Sequence, residues 1–444
     1  PPIISFVVSK PAITVPTLST PTVATITPPG TGNWNATWIK QNGDVGAFHQ
    51  VSVDGGTIDV NVNGNSFDMI VNNSKLTGIS GNGTKTYYKT INGSPTTSVT
   101  GDSTAPAPAL SFSLMNNNNS GTYAAMKLVG GQRIDLDNTT INFTGTGPTG
   151  TNAYHKWLFH TDGHNDFEQS TWVIGNRSTI NVSGDHLVMY TSQYHGSSPG
   201  KNVGFVNKGT INESGNNNFL WAAMSATGTT SRTMYFDNQG TITLGGTSSV
   251  FANVDSENTG DGFSILNNNV LNISGKESTG IVFGKEYAKS EILLYKPITI
   301  TGTDSTGIYF NREVDLVGGK SRSNSVGDNA VTVIPGTTRE SILNVDITAG
   351  TGNSGLFFDT HGKTFDVPNA TINLSSNDGS NAGIFAQDGI VNLKPNAKVN
   401  LTAGKDNVGI YADNGTNLHT AVLNAGGKVN ITGGTGGIGI LSTG

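Results

Sequence analysis

A pattern of two short apolar segments, Leu271-Asn272-Ile273-Ser274-Gly275 and then Gly280-Ile281-Val282-Phe283, recurs along this chain. Other copies begin with Ile298-Thr299-Ile300 and with Val399-Asn400-Leu401. Within each copy apolar and polar residues alternate, and this period of two indicates a strand with one buried face. Helical spacing is missing throughout, so the pattern predicts an all-β chain.

The copies return at a nearly constant interval. Their first apolar residues are Ile141, Ile180, Ile211, Ile242, Leu271, Ile298, Val345, Ile372, Val399 and Val429. The steps between them are 39, 31, 31, 29, 27, 47, 27, 27 and 30 residues. Two or three short strands with their turns fill one such step, which is the size of one coil of a solenoid. The sequence therefore predicts a parallel β-helix with inserted loops.

Asparagine recurs at one position of the coil, four residues before the first apolar residue of a copy. The four examples are Asn176, Asn207, Asn238 and Asn267. Asn tolerates left-handed turns, and stacked Asn side chains hydrogen-bond from one coil to the next. Chance alignment in an Asn-rich chain is the alternative, but the shared register favours a ladder.

Proline and insertions suggest how the chain is organised. Residues 1–32 are rich in Pro and Thr, and we expect an extended N-terminal arm, because Pro lacks a backbone donor and favours polyproline conformations. Residues 33–444 are predicted to form the β-helix, with irregular coils and a long loop (81–108) up to about residue 140. Regular coils of 27–31 residues follow, interrupted by a basic insertion at 312–339. Long loops on solenoids often carry the binding function.

Charge and composition argue against several functions. The net charge is −6, and the Lys and Arg residues are scattered, so we expect no nucleic-acid partner. There is no apolar run of the roughly 18 residues that a membrane helix needs. With no Cys, the chain has no disulfide, no thiolate metal site and no Cys nucleophile.

Histidine and tryptophan gather in the segment 151–170, inside the 39-residue step. Its three His residues lie near Asp162, and imidazole with carboxylate can bind a divalent transition metal. The spacing matches no zinc-enzyme or zinc-finger pattern, so we expect no metal and no cofactor. Metal binding, a loop that contacts a ligand and a plain surface loop are the three open interpretations, and the plain surface loop is favoured.

Aromatic residues are concentrated in the same third of the chain. Tyr190 and Trp221 share the register of Ile281 within the coil, which predicts core positions for both. Rings at other positions, and Arg on long loops, are suited to anchoring a partner. The predicted ligand-binding residues are His155, Trp157, His160, Asp162, His164, Tyr194, Arg312, Lys320 and Arg322.

Enzyme signatures are weak. Glycan-cleaving β-helices need carboxylates or a basic residue clustered on one face, and Asp and Glu are dispersed here. Gly101-Asp102-Ser103 lacks the Gly that would follow in a serine-protease loop. Asn-x-Ser/Thr triplets such as Asn35-Ala36-Thr37 are attributed to composition. We predict no catalytic residue.

The repeats Gly409-Ile410-Tyr411-Ala412 and Val399-Asn400-Leu401-Thr402 resemble the passenger regions of large type V autotransporter adhesins, most closely those of fusobacterial outer membranes. The resemblance is clearest over residues 140–444, and the Pro/Thr-rich start is similar to the post-signal segment of those proteins. It implies a right-handed β-helix displayed at the cell surface, with a signal peptide and a C-terminal membrane barrel outside this chain. It also implies a host-cell surface protein or glycan, or the surface of a partner bacterium, as the binding partner.

Three functions follow from these features. The first is an adhesin passenger, expected to be a monomer, that attaches through loops on a β-helix stem. The second is a β-helix polysaccharide-processing enzyme, and the third is a purely structural stalk.

Overall fold

The computed structural model describes residues 36–40, 49–64, 66–72, 75–81, 85–91, 94–101, 124–129, 132–148, 156–164, 170–195, 202–224, 233–255, 262–283, 289–311, 341–413 and 421–443. All regular elements in these ranges are strands, and most are parallel strands stacked as a β-solenoid. The predicted fold class is confirmed. The chain divides into an N-terminal unit that ends at Thr241 and a C-terminal unit whose described residues begin at Ile242.

Each coil of the N-terminal unit supplies strands to three parallel ladders, visited in the order first, second, third. The first ladder contains His49–Asp54, Gln132–Asp137, Ser170–Ile174, Asn202–Asn207 and Thr233–Asn238. The second contains Thr57–Asn63, Thr140–Thr146, Thr179–Val182 and Thr210–Glu213. The third contains Ala124–Val129, Lys156–His164, Leu187–His195 and Phe219–Met224.

Antiparallel strands cover the N-terminal edge of two of these ladders. Ser66–Asn72 pairs with Thr57–Asn63, and Lys75–Gly81 pairs with His49–Asp54. An unpaired strand edge is a template for association with another chain. The reversed strands occupy these edges, so the first and second ladders of this unit begin at a capped end.

The prediction of a long loop at 81–108 is wrong for much of that range. Ala36–Lys40, Lys85–Ile91 and Ser94–Gly101 form a separate antiparallel sheet. Thr and Tyr favour strands, and a two-residue connection at 92–93 lets neighbouring strands pair locally as a hairpin. The predicted arm at 1–32 lies outside the described residues.

The C-terminal unit repeats the three-ladder coil. Its first ladder contains Gly262–Asn267, Lys289–Leu294 and Ala421–Ala425. Its second contains Thr241–Leu244, which spans the unit boundary, with Leu271–Ile273, Ile298–Ile300, Leu343–Ile347 and Lys428–Ile431. Its third contains Val250–Asp255, Thr279–Phe283, Thr306–Phe310, Val408–Asp413 and Ile438–Thr443. Two long strands, Ser354–Leu374 and Ala382–Leu401, continue through all three ladders.

The apolar register predicted from the repeat is confirmed within each unit. Ile141, Ile180 and Ile211 are successive partners in the N-terminal unit. In the C-terminal unit the partners run Ile242, Leu271, Ile298, Val345, Ile372, Val399 and Val429. All but Val429 are buried, and full burial of each such side chain contributes roughly 1.5–3 kcal/mol. A one-residue slip would expose the whole column, which fixes the register.

The third ladder of the C-terminal unit is buried on both sides of its strands, except at its last strand, Ile438–Thr443. Phe283, Phe310 and Phe358 stack with ring centroids 5.4 and 4.8 Å apart. The neighbouring residue in each strand starts a second stack, in which Tyr309 and Phe357 lie 4.8 Å apart. Because consecutive residues of a strand point to opposite sides, these strands are apolar on both faces and lose the alternation seen on the second ladder.

The predicted Asn ladder is confirmed for Asn207 and Asn238, which are fully buried and joined by a bond from Asn207 Nδ2 to Asn238 Oδ1. Asn267, in the C-terminal unit, is also fully buried, but its Nδ2 donates to the Lys296 carbonyl of the next coil at 2.8 Å. Asn176 is exposed, and its place in the ladder is wrong. Ile174, two residues earlier, is the partner of Asn207, because the turn before Thr179 is two residues longer than the turn before Thr210.

Candidate functional site

The loop predicted to bind a ligand at 151–170 is largely a strand of the N-terminal unit. Lys156–His164 belongs to the third ladder, and Ser170–Ile174 to the first. The Trp157 and His160 side chains are only 4% and 3% exposed. Their prediction as surface ligand contacts is therefore corrected: both pack inside the unit, because their strand is covered on both sides.

A buried aromatic cluster with its own polar network surrounds these residues. The rings of Trp157 and His160 lie 4.8 Å apart, and His160 Nδ1 is 2.7 Å from the Thr191 hydroxyl. The Tyr190 hydroxyl donates to Thr161 at 3.2 Å, and Trp221 Nε1 donates to a Ser hydroxyl at 3.0 Å. Tyr190 and Trp221 are fully buried, which confirms their predicted core positions. Burial raises the pKa of the Tyr190 phenol, which stays neutral at physiological pH.

The structure describes the other predicted ligand residues only in part or not at all. His155, Arg312, Lys320 and Arg322 lie outside the described residues, and so does the whole 312–339 insertion. Of Asp162, His164 and Tyr194 only the backbone is described. The register pairs Gly163 with Tyr194 and His164 with His195, so these positions lie on neighbouring coils. That juxtaposition follows from the 31-residue step.

A row of hydrogen-bonded amides runs along the outward side of the second ladder, and sequence reasoning missed it. In the N-terminal unit each Asn Nδ2 donates to the preceding coil, through Asn212, Asn181, Asn142 and finally Asp59, at 3.1, 2.9 and 2.7 Å. In the C-terminal unit the same chain runs through Asn430, Asn400, Asn373 and Asp346, at 2.8, 2.8 and 2.7 Å. Every amide donates in one direction. Each row ends on an Asp, because an ionised carboxylate accepts hydrogen bonds and has no proton to donate. The sequence feature that could have revealed this row is the polar residue between the two apolar residues of each copy.

This row also accounts for some of the Asn-x-Ser/Thr triplets, among them Asn400-Leu401-Thr402 and Asn430-Ile431-Thr432. In Asn400-Leu401-Thr402 the amide joins the row, Leu401 is buried, and the Thr402 hydroxyl donates to the Leu374 carbonyl at 3.3 Å. Thr432 repeats this bond with Leu401 at 3.4 Å. These two triplets thus mark the end of a second-ladder strand.

A second polar column is buried at the turn before the third ladder of the C-terminal unit. Each backbone N–H donates to the side-chain oxygen of the next coil, in the order Ser249, Ser278, Ser305, Asn353, Asn381 and Asn407. All six are at most 2% exposed, so the side chains satisfy backbone groups that water cannot reach. The preceding residue adopts a left-handed conformation in successive coils, as at Glu277 and Asp304, with φ of 55° and 52°.

Among the described residues of the N-terminal unit, one Arg and two Asp side chains form a group of opposite charges on the surface, at the turn before the second ladder. Arg177 donates to Asp137 Oδ2 at 2.7 Å and lies 3.3 Å from Asp54. The Arg177 hydrogen bond holds the pKa of the Asp137 carboxyl below its ordinary value. All three side chains are at least 37% exposed, so the group is a screened surface ion pair that links coils.

Within the described ranges, His, Asp and Glu nowhere form a group of three or more that could hold a metal ion. In the same part of the chain, no helix has the length and apolar character needed to cross a membrane.

Comparison with known proteins gives no relative: no family model, no curated protein and no solved structure matches this chain. The fold and the residues above therefore carry the functional argument.

Proposed function

We propose that this chain is the β-helix stem of a cell-surface adhesin passenger. The buried Ser/Asn column of the C-terminal unit supports a stem role, because it joins successive coils by the same backbone-to-side-chain bond. Coils held by repeated side-chain bonds give a regular scaffold whose insertions are free to differ. An outer-membrane location, a host-cell or bacterial partner, a monomeric state and a lack of enzymatic activity are parts of this proposal.

Attachment is proposed to reside in the predicted 312–339 insertion, taken here as far as residue 340, with Arg312, Lys320 and Arg322 as its contacts. Trp157 and His160 are buried, which supports the insertion over the 151–170 segment as the place of attachment. The two ends of the insertion are well held. Asn311 N donates to the Phe283 carbonyl at 2.9 Å, and the Ser341 hydroxyl accepts from Ile292 N at 3.1 Å. An insertion between two fixed ends can change its sequence without disturbing the ladders.

The test is to replace residues 312–340 by a short Gly/Ser linker in the whole chain displayed on cells. A matched control replaces 225–232, which joins Phe219–Met224 to Thr233–Asn238. Adhesion to host cells or partner bacteria should fall only in the first variant, with the melting temperature retained in both. Undiminished adhesion would leave the chain a structural stalk. If the chain cleaved any polysaccharide of a test panel, the adhesin proposal would give way to the alternative of a polysaccharide-processing enzyme.

A further inference from the structure

The second ladder of the N-terminal unit presents a regular polar face. Thr57, Thr140, Thr179 and Thr210 are partners in successive strands. Two residues further along each strand stand Asp59, Asn142, Asn181 and Asn212. The Ile between the two rows is fully buried in every strand, so both rows point outward, where they are half-buried or exposed.

The Thr row has hydrogen-bonding capacity that the fold does not use. The hydroxyls of Thr140, Thr179 and Thr210 form no hydrogen bond within the described residues. Asn142 and Asn181 each use one N–H and one oxygen lone pair in the ladder and keep another of each, and Asn212 uses one N–H. The face therefore offers free donors and acceptors on side chains that are already fixed.

The Thr row is not a requirement of the fold. Thr241, at the unit boundary, is also a Thr, but from Leu271 onward the corresponding positions of the C-terminal unit are Val270, Pro297, Asn344, Thr371, Lys398 and Lys428. Val270 is 47% exposed there. The amide row, in contrast, is present in both units. An apolar, cyclic or charged residue thus satisfies the position, and packing does not explain four consecutive Thr residues.

The chemistry of the face indicates an uncharged, hydroxyl-rich partner. Asp59 is the only charged member of the eight side chains, so an anionic polymer meets no Lys or Arg on these rows. The rows also lack the aromatic and Arg anchors on which protein partners depend. Strands repeat every ~4.8 Å, and a linear polymer lying along the stack engages several coils at once. Stiff Thr side chains and bonded amides lose little entropy on binding.

We propose that this Thr/Asn face of the N-terminal unit binds a neutral linear polysaccharide. The inference does not depend on the insertion at 312–340 or on the adhesin proposal. Hydroxyl groups of successive sugars bridge Thr hydroxyls and Asn amides of successive coils.

The experiment measures binding of the whole chain to immobilised neutral β-glucan, cellulose and α-mannan, with heparin as the charged comparison. The test variant combines Thr140→Val, Thr179→Val and Thr210→Val, which removes hydroxyls while keeping β-branched shape. The matched control is Thr371→Val, an isolated Thr at the same strand position of the C-terminal unit. Affinity for a neutral glycan should fall at least about tenfold in the triple variant and stay unchanged in the control.

A second variant guards against a folding defect. Thr179→Lys copies the residue that the C-terminal unit accepts at Lys398, so it should fold and still block the face. The inference is overturned if no neutral glycan binds, if heparin or a protein binds instead, or if the triple variant keeps its affinity while folded. Adhesion that depends on 312–340 without any glycan binding would leave the proposed function standing and remove this inference alone.

Discussion

The side-chain amide of Asn207 donates to Asn238 Oδ1 in the next coil of the N-terminal unit, over 2.9 Å. Both side chains are fully buried. The oxygen of each also accepts the backbone N–H two residues later, from Gly209 at 3.1 Å and from Gly240 at 3.3 Å. One side chain therefore closes a turn and joins two coils.

Replacement of Asn207 by Ala should lower the free energy of unfolding by about 1–3 kcal/mol, because it leaves buried partners unsatisfied. Asn176→Ala is the matched control, since that exposed residue has no bond to lose and should change stability by less than about 0.5 kcal/mol. Denaturant titration followed by circular dichroism measures both. Equal effects would contradict the ladder.

Replacement of Asn381 by Ala should be more damaging, at about 2–4 kcal/mol. Its oxygen accepts from Asn353 N at 2.9 Å, and its amide donates to the Gly379 carbonyl, also at 2.9 Å. Asn381→Ser should recover part of the loss, because Ser fills this column in other coils. Asn373→Ala, in the half-buried outward row, should cost less in the same titration. A smaller loss at Asn381 than at Asn373 would show that the inner column does not dominate.

Gly383 should not tolerate Ala. An added Cβ would lie 2.6 Å from the Gly409 carbonyl oxygen and 2.6 Å from Val399 Cγ1. In the same glycine column, a Cβ at Gly439 would meet its nearest atom at 3.6 Å, an ordinary contact. Gly383→Ala should cost about 1–3 kcal/mol, and Gly439→Ala little. Thermal melts of the two variants test this difference. Equal melting temperatures would rule out close coil packing at this position.

The Asp137 pair predicts a pH dependence. Its folded pKa lies below the ordinary value of 3.8, so its stabilisation is present above that value and is lost as pH falls through the folded pKa. Asp137→Asn should therefore lower the melting temperature at about pH 6 and have little effect at about pH 2. Salt of about 0.5 M should shrink the difference at the higher pH. A difference independent of pH would mean that the carboxylate charge is not responsible.

Trp157 is expected to stabilise the fold without contributing to adhesion. Trp157→Ala should cost about 3–5 kcal/mol, because it empties a buried site beside His160. Trp157→Phe should recover part of the loss, and adhesion per folded molecule should not change in either variant. Lost adhesion with normal stability would restore the surface interpretation.

The N-terminal cap and the Thr/Tyr-rich sheet were beyond sequence reasoning. Ser66–Asn72 reverses direction against Thr57–Asn63, and nothing in an alternating strand states whether its neighbour is parallel. Pairing direction depends on where the chain returns in space. The same holds for His164 and His195, which become neighbours only through the coil step.

The sequence by itself determined the all-β class, the coil length and the apolar columns, because Val, Leu and Ile recur at a period of two along the strand and of about 27–31 residues along the chain, and a one-residue slip would expose them. It also placed Asn207 beside Asn238. Only the tertiary structure decided the burial of Trp157 and the exposure of Asn176. Strand alternation reports one buried side, whereas the third ladder is covered on both, and a turn two residues longer shifts an Asn out of register without changing the repeat around it.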